Sequence, residues 1–490
     1  MVENKKVRVR FAPSPTGKLH MGSARTALFN YLFAKKEKGV FILRIEDTDI
    51  ARSDKQIENS IINDLKSLGI TWDEFYRQSE RFEIYKNLAQ DILARNKAYY
   101  CFCTPEELET AKKEAAKKGQ TPKYSRRCKN LSEEEKRRLS EKVKPAIRFE
   151  VPDEIIPVND VIRGIIQFDP NVISDFIILK SDGTPSYNFA AAVDDSLMEI
   201  THVIRGEDHL SNTARQVIIY KELSKKPPIF AHIGLILGPD KTKLSKRHGE
   251  TSVGEYIDNG YLPEAIVNFL SLLGWSSPDG KEIFLNITDV IDKFSLDRLS
   301  PSPAIFDIEK LTWLNGEHIR SLSGKELSNR ITPFLKQEGL SHPAHLLSEH
   351  QIDQWFILLA NSIKDNLQTL ADAPKYSALF FVKSNDFSPD MIEEIKTSTA
   401  IEAINLLKEK IEECDNEKID LDFNIENSRQ IFAQIKNYFK EKNIGAKEIF
   451  HPLRIALSFS DSGPQLPNLL VLLGREKVLK NLNRALNCRK

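Results

Sequence analysis

Residues 10–23 read RFAPSPTGKLHMGS. Just upstream, Val7, Val9 and Phe11 alternate with Arg8 and Arg10, the period-two pattern of a short strand. Pro13, Pro15 and Gly17 break the chain into a loop. Leu28, Tyr31, Leu32 and Ala34 then recur at helical spacing, and Lys38-Gly39 ends that helix. A helix that begins just after His20-Met21-Gly22-Ser23 presents free backbone N–H groups and the positive end of a dipole, which suits phosphate. Gly22 has no Cβ, so a flat base can approach the backbone closely. Taken alone, the segment is equally compatible with a turn that carries an incidental histidine.

Outward from this unit the pattern continues. Val40 to Ile45 reads as the next strand, and residues 54–68 and 80–97 carry helical patterns. Alternating strand and helix is the signature of a parallel sheet with crossover helices. From about Tyr100 the chain changes character. Segment 104–145 is charged and helical, with Ser132 and Glu135 spaced as a capping box, and its Lys/Ala/Glu-rich stretch 111–118 reads as a solvated helix face. Strands are expected at Ala146–Val151, Ile162–Phe168 and Phe176–Lys180, the last turning at Ser181-Asp182-Gly183. Residues 101–185 therefore read as an insertion between two halves of the nucleotide-type fold. The sheet pattern resumes at Tyr187, with a strand near Ile200–Arg205, a helix over 211–223 and a strand around Ile229–Leu237. Beyond about 250, segments 262–273, 325–338, 350–363, 390–414 and 427–442 have helical apolar spacing. Pro301, Pro303, Pro374 and Pro452 read as boundary markers.

Composition bounds the possibilities. A chain of 490 residues has room for several domains. Its 41% apolar content is that of an ordinary globular protein. Lys+Arg and Asp+Glu both number 70, so net charge does not point to a polyanion, although a basic face can coexist with acidic ones. No apolar run reaches the ~18 residues of a membrane span, and the start has no signal-peptide core. Five cysteines are too few for a disulfide framework. A reduced, cytoplasmic protein is expected.

A second chemical segment is Lys243-Leu244-Ser245-Lys246-Arg247, after Gly238-Pro239-Asp240. Three cations in five residues on a glycine-flanked loop suit a mobile clamp on a triphosphate, though charge runs are usually just solvated. Together the two segments resemble the HIGH and KMSKS signatures of class I aminoacyl-tRNA synthetases, in order and about 220 residues apart. HIGH is reduced here to HMGS, so Ser23 removes the second histidine. Further segments narrow the resemblance to the bacterial glutamyl-tRNA synthetase family. They are RIEDTD (Arg44–Asp49), YNFAAAVDD with THVIRGEDH (Tyr187–His209), and GYLPEAIVNFLSLLGWS (Gly260–Ser276). It covers roughly the first 320 residues closely, and the tail from Leu453 to Leu482 less so.

Selecting glutamate requires two cations for its carboxylates and one anion for its ammonium. Arg10 and Arg205 end strand patterns, as does Glu46, and ligands of doubly wound sheets bind outside strand ends. The resemblance implies that Arg10 with Tyr187 holds the γ-carboxylate, Arg205 the α-carboxylate and Glu46 the ammonium, with Ala12 and Ser14 lining the pocket. Ala191 stands where some members have a polar side chain. For ATP with Mg²⁺ it implies His20, Gly22, Ser23, His209, Lys243, Ser245 and Lys246, with His20, Lys243 and Lys246 acting on phosphate charge. It further implies a Rossmann-like α/β catalytic domain in halves 1–100 and 186–250, an inserted α+β domain over 101–185 that grips the tRNA acceptor end, a stem-contacting domain over 251–320, and an all-α anticodon-binding domain over 321–490. The expected protein is a monomer that charges tRNA(Glu) with L-glutamate.

Cys101, Cys103 and Cys128 crowd a small, charge-rich segment, which suits either three buried thiols or a structural Zn²⁺. Some family members bind zinc there. Asn130 stands where several of those have a histidine, and Tyr124 matches the fourth ligand of related members. Competing readings are a glutaminyl enzyme, an enzyme that also charges tRNA(Gln), a short paralogue acting on a modified tRNA base, and an inactive RNA-binding protein. The glutaminyl branch lacks a cation at the Arg205 position and ends in β-barrels. The short paralogue lacks an anticodon-binding region.

Overall fold

In the computed structural model, which describes residues 6–119, 123–170, 172–245, 250–340, 348–381, 386–413 and 425–488, β1 (Arg8–Phe11) pairs in parallel with β2 (Val40–Ile45), and β2 with β3 (Glu74–Arg77). Between β1 and β2 runs α1 (Met21–Lys36), and α2 (Lys55–Ser67) connects β2 to β3. Every residue of β2 is buried, as its apolar run requires of a central parallel strand. β3 is four residues long and only partly buried at the sheet edge, so it left no readable pattern in the sequence.

After α3 (Phe82–Ala94) the chain enters β4 (Ala98–Cys101), then α4 (Pro105–Lys117) and α5 (Glu133–Ser140). Neither of these two helices buries a residue, and the Ser132–Glu135 capping box is formed. Four strands follow: β5 (Ala146–Phe149), β6 (Ile156–Asp160), β7 (Gly164–Phe168) and β8 (Phe176–Leu179). β4, β5 and β8 make their own antiparallel sheet. β6 and β7 form a hairpin instead, and β6 joins the catalytic sheet in parallel with a later strand. The strand expected from Ile162 starts at Gly164, because Asp160 Oδ1 accepts from the amides of Ile162 and Arg163 and closes a turn there. β6 itself escaped the sequence reading, since Pro157 and Asn159 interrupt its pattern.

Tyr187 opens a helix, α6 (Tyr187–Leu197), where a sheet pattern was expected to resume. It leads to β9 (His202–Gly206), α7 (Leu210–Glu222) and β10 (Ile229–Ile233), with β9 and β10 parallel. Thr201 N donates to Arg8 O at 2.9 Å, which sets β9 beside β1. The strands thus run β3-β2-β1-β9-β10-β6-β7 across the domain. The direction of winding reverses between β1 and β9, which is the Rossmann-like arrangement with its crevice at the reversal. A core of Ile42, Phe189, Val203, Ile219 and Phe230, among others, fixes the layers.

Two compact units divide the chain: Met1–Asp258 with Pro263–Leu311, and Asn259–Leu262 with Thr312–Lys490. The second is built from helices and contains no strand among its described residues. Apolar faces such as Leu327, Ile331 and Leu335 are fully buried there, and Trp355 Nε1 donates to Leu472 O at 3.0 Å. The helix expected over 390–414 is two, Pro389–Ile395 and Ser398–Glu413, because Thr397 Oγ1 accepts from Ala400 N and starts a new one. Pro452 is no boundary. It lies inside the helix Ala446–Ser458, where buried Ile449, Leu453, Ala456 and Leu457 offset the missing amide bond.

Candidate functional site

A cavity of about 900 Å³ opens at the carboxyl ends of β1 and β9, where the sheet reverses. Its wall includes Arg10, Ala12, Ser14, His20, Gly22, Ser23, Glu46, Tyr187, Arg205, His209, Lys243 and Ser245. The sequence-expected glutamate and nucleotide residues are therefore gathered in one place, with Lys246 lying outside the described residues. The loop after β1 is fixed to the end of β2 by Glu46 N, which donates to Pro13 O at 2.9 Å, and to α2 by Asp54 N donating to Pro15 O at 3.1 Å.

Three charged groups occupy the deep end, and they are buried: Arg10 (4% exposed), Arg205 (5%) and Glu46 (9%). Uncompensated charge there would be costly, and the structure supplies partners behind the wall. Asp195 Oδ1 accepts from Arg10 Nε at 3.1 Å and from Arg44 Nη1 at 2.6 Å. Arg44, fully buried, also donates to Glu46 Oε1 at 3.1 Å. Asp194 lies 3.8 Å from Arg44 and is bonded by Arg81, Gln78 and Tyr85. Burial pulls Arg44 down, but Asp195, Asp194 and Glu46 outweigh it and hold its pKa well above the usual arginine value. Glu46 is pushed up by burial, only partly offset by Arg44 and Arg10. Arg205 is lowered by burial and by the neighbouring Arg10. An ammonium beside Glu46 and a carboxylate beside Arg205 would each relieve the strain that burial imposes.

Arg205 is oriented by bonds from Nε to His232 Nε2 (3.2 Å) and from Nη2 to Thr213 Oγ1 (2.7 Å). Its Nη1 has no hydrogen-bond partner among the described residues. Tyr187 OH lies 3.0 Å from His209 Nδ1. Burial and Arg205 push His209 down to about 4, so its ring is neutral at pH 7. Ala191 is buried in α6, where its methyl offers no polar contact.

At the other end, His20 is the N-cap of α1, and its Nδ1 lies 3.1 Å from Thr251 Oγ1. The first intrahelical bond runs from Ala24 N to His20 O, so the amides of Gly22 and Ser23 precede the ladder. A Cβ at Gly22 would meet nothing within 4 Å, which leaves room for a planar ligand against the backbone. Lys243 Nζ donates to Asp208 Oδ2 at 2.9 Å. Burial raises Asp208, but the Lys243 bond outweighs it and holds the carboxyl below its usual range.

Sequence reasoning missed the groups behind the wall: Arg44, Asp194, Asp195, Thr213, His232 and Asp160. The signal was present as polar residues inside apolar runs, VFILRI, AAAVDD and IFAHI.

The four sequence-expected metal ligands also converge. The Sγ atoms of Cys101, Cys103 and Cys128 lie within 4.8 Å of one another. Tyr124 OH is 3.6 Å from Cys101 Sγ and 3.4 Å from Cys103 Sγ. Tetrahedral zinc with bonds of about 2.3 Å sets its thiolates roughly 3.8 Å apart, so these residues fit the ion. Buried Arg148 donates to Cys101 Sγ at 3.3 Å and stacks 3.8 Å over the Tyr124 ring, a cation placed to balance anionic ligands.

Comparison with known proteins agrees with this geometry. Residues 6–313 match the family model for the catalytic domain of class I tRNA synthetases (E and Q), and residues 326–486 match that for an anticodon-binding domain. A glutamate–tRNA ligase of Carboxydothermus hydrogenoformans is 45% identical over 98% of this chain and 100% of its own. A second, from Caldanaerobacter subterraneus, is 44% identical over 99% of both. The crystal structure of a glutamate tRNA ligase from Elizabethkingia meningosepticum, in complex with its amino acid, superposes with a TM-score of 0.87 at 34% identity over 99% of this chain and 100% of that one.

Proposed function

Because the chain belongs to the class I tRNA synthetases for glutamate and glutamine, we infer that it is a glutamate–tRNA ligase, which joins L-glutamate to tRNA(Glu) using ATP. The observation that carries the choice of amino acid is the deep end of the cavity: two buried guanidiniums, Arg10 and Arg205, and one buried carboxylate, Glu46. Glutamate has the complementary two carboxylates and one ammonium. Glutamine would leave one of these cations without its anion, which disfavours a glutaminyl enzyme.

The α-carboxylate of glutamate attacks the α-phosphate of ATP, giving glutamyl-adenylate and pyrophosphate. A ribose hydroxyl of the terminal adenosine of tRNA then attacks the acyl carbon, and AMP leaves. The protein contributes positioning and charge neutralisation. Arg205 orients the α-carboxylate, Arg10 with Tyr187 holds the γ-carboxylate, and Glu46 takes the ammonium. Ala12 and Ser14 shape the pocket. His20 and the amides of Gly22 and Ser23 face the phosphates, His209 packs near the nucleotide, and Lys243, Ser245 and Lys246 follow the departing pyrophosphate. Mg²⁺ carried by ATP would spread phosphate charge.

In this reading, residues 101–185 hold the acceptor end, 251–320 the inner stem and 321–490 the anticodon. Cys101, Cys103, Cys128 and Tyr124 would hold one structural Zn²⁺, which pins the end of β4 to the turn Arg127–Asn130. The enzyme acts as a cytoplasmic monomer, and no helix among the described residues is long and apolar enough to cross a membrane. ATP–pyrophosphate exchange, followed by charging of purified tRNA(Glu) and tRNA(Gln), tests the reading. Glutamate-dependent exchange in the presence of tRNA(Glu) is expected. Its absence would overturn the assignment, and glutamate on tRNA(Gln) would identify a non-discriminating enzyme.

A further inference from the structure

Arg205 is held from behind by residues that do not line the cavity. His232 on β10 is its register partner across the β9–β10 ladder, so the two side chains stand side by side on one face of the sheet. The bond from Arg205 Nε to His232 Nε2 requires Nε2 to accept, and hence the ring proton to sit on Nδ1. Asp160, on the neighbouring strand β6, supplies the cause. Its Oδ2 accepts from His232 Nδ1 at 2.6 Å and from His232 N at 3.0 Å. Its Oδ1 is held by the amides of Ile162 and Arg163, at 2.9 Å each. Thr213 Oγ1 accepts from Arg205 Nη2 and lies 2.9 Å from His232 Nε2. Asp160, His232 and Thr213 are all buried, at 2%, 0% and 0% exposure.

We propose that Asp160, His232 and Thr213 are positioning residues for amino-acid binding, a carboxylate–imidazole–hydroxyl relay that fixes the guanidinium of Arg205 in the cavity wall. The relay rests on the reading of the cavity as the glutamate site. Its logic is one of donors and acceptors. Arginine has only donors, so it can be held along Nε only by an acceptor. An imidazole in the other tautomer, or a protonated one, would present N–H to Arg205 and turn the guanidinium away. Asp160 prevents the first. Burial, together with the neighbouring Arg205, disfavours the second by lowering the pKa of His232. The amino-acid pocket is thereby set by a side chain four strands from β2, on a hairpin outside the βα units that form the cavity wall.

The test is ATP–pyrophosphate exchange with tRNA on the full-length enzyme, with glutamate and ATP varied in turn, and with thermal unfolding of each variant recorded alongside. A bond to a charged group of this kind corresponds to about ten- to a hundredfold in binding. His232→Leu is expected to raise KM for glutamate by about that factor and to leave KM for ATP near the wild-type value. His232→Gln, whose amide oxygen can still accept from Arg205, should recover most of the loss. Thr213→Val, nearly isosteric, should raise KM for glutamate without affecting ATP. A folded His232→Leu or Thr213→Val enzyme with wild-type KM for glutamate overturns the relay. So does a His232→Leu defect that falls equally on glutamate and ATP, tracks a lowered melting temperature and is not rescued by His232→Gln. If the wild-type enzyme itself shows no glutamate-dependent exchange, the reading of the cavity fails and the relay falls with it.

Discussion

Replacing Arg205 by cysteine removes a cation that is 5% exposed and bonded to His232 and Thr213. Two consequences follow from the structure. Glutamate loses a direct partner for one of its carboxylates, leaving Arg10 and Glu46 as the charged groups at the deep end. The acceptors on His232 and Thr213 lose the donor they were arranged around. Unpairing a buried, hydrogen-bonded charge costs roughly 2–5 kcal/mol. At about 1.4 kcal/mol per decade this predicts a loss of about thirty- to several-thousandfold in kcat/KM for glutamate. Glutamine carries the same α-carboxylate, so its specificity constant should fall by a similar factor. Steady-state charging with each amino acid, over a range of concentrations and at saturating ATP and tRNA, measures both constants. A specificity constant for glutamate equal to that of the wild type would mean that Arg205 stabilises the sheet but does not hold the substrate.

Glu46 is raised above 4.5 by burial, and it must be ionised to hold an ammonium. Binding of glutamate is therefore full above the raised pKa and lost as pH falls through it towards 4.5, so KM for glutamate should climb on acidification while Glu46→Gln starts high and shows no such limb. The sign for stability is opposite: the free enzyme gains stability as pH falls through that same window, because the folded state takes up the proton first. Lys246→Ala should slow adenylate formation by about 10²–10³, the usual effect of removing one transition-state charge contact, with little change in glutamate affinity; an unchanged rate in rapid-quench kinetics would remove it from the mechanism. Protein purified without chelator should contain one zinc per chain, and Tyr124→Phe should weaken its retention against a chelator; a metal content well below one per chain would leave Cys101, Cys103 and Cys128 as ordinary buried thiols.

How much was legible depended on whether a residue's role is local. The run from Arg10 to Ser23 announced its strand, loop and helix start because each is dictated by neighbours in sequence. Arg10, Glu46 and Arg205 could be placed at strand ends, and a shared crevice then followed from the topology of parallel sheets. What could not be read was pairing across strands. Asp195 serves Arg10 and Arg44 from 185 and 151 residues away, and no periodicity records that. Short elements failed for a different reason. β3 and β6 are four and five residues long, and β6 carries a proline, so tertiary pairing makes them strands where their own pattern does not.

The β6–β7 hairpin also limits how this enzyme can be taken apart. Read linearly, the stretch from 101 to 185 looks like a cassette that could be exchanged between relatives to trade one acceptor-end preference for another. In three dimensions the cassette is threaded through its host. β5 and β8 form one sheet with β4, which straddles the first junction, but Ile156–Phe168 belongs to the catalytic one and delivers Asp160 to His232. A chimera cut at the two linear junctions would carry a foreign hairpin onto the edge of the recipient's active-site sheet, beside β10. A transplant that spares 156–168, and replaces only the segments on either side of it, would keep the host's amino-acid pocket intact.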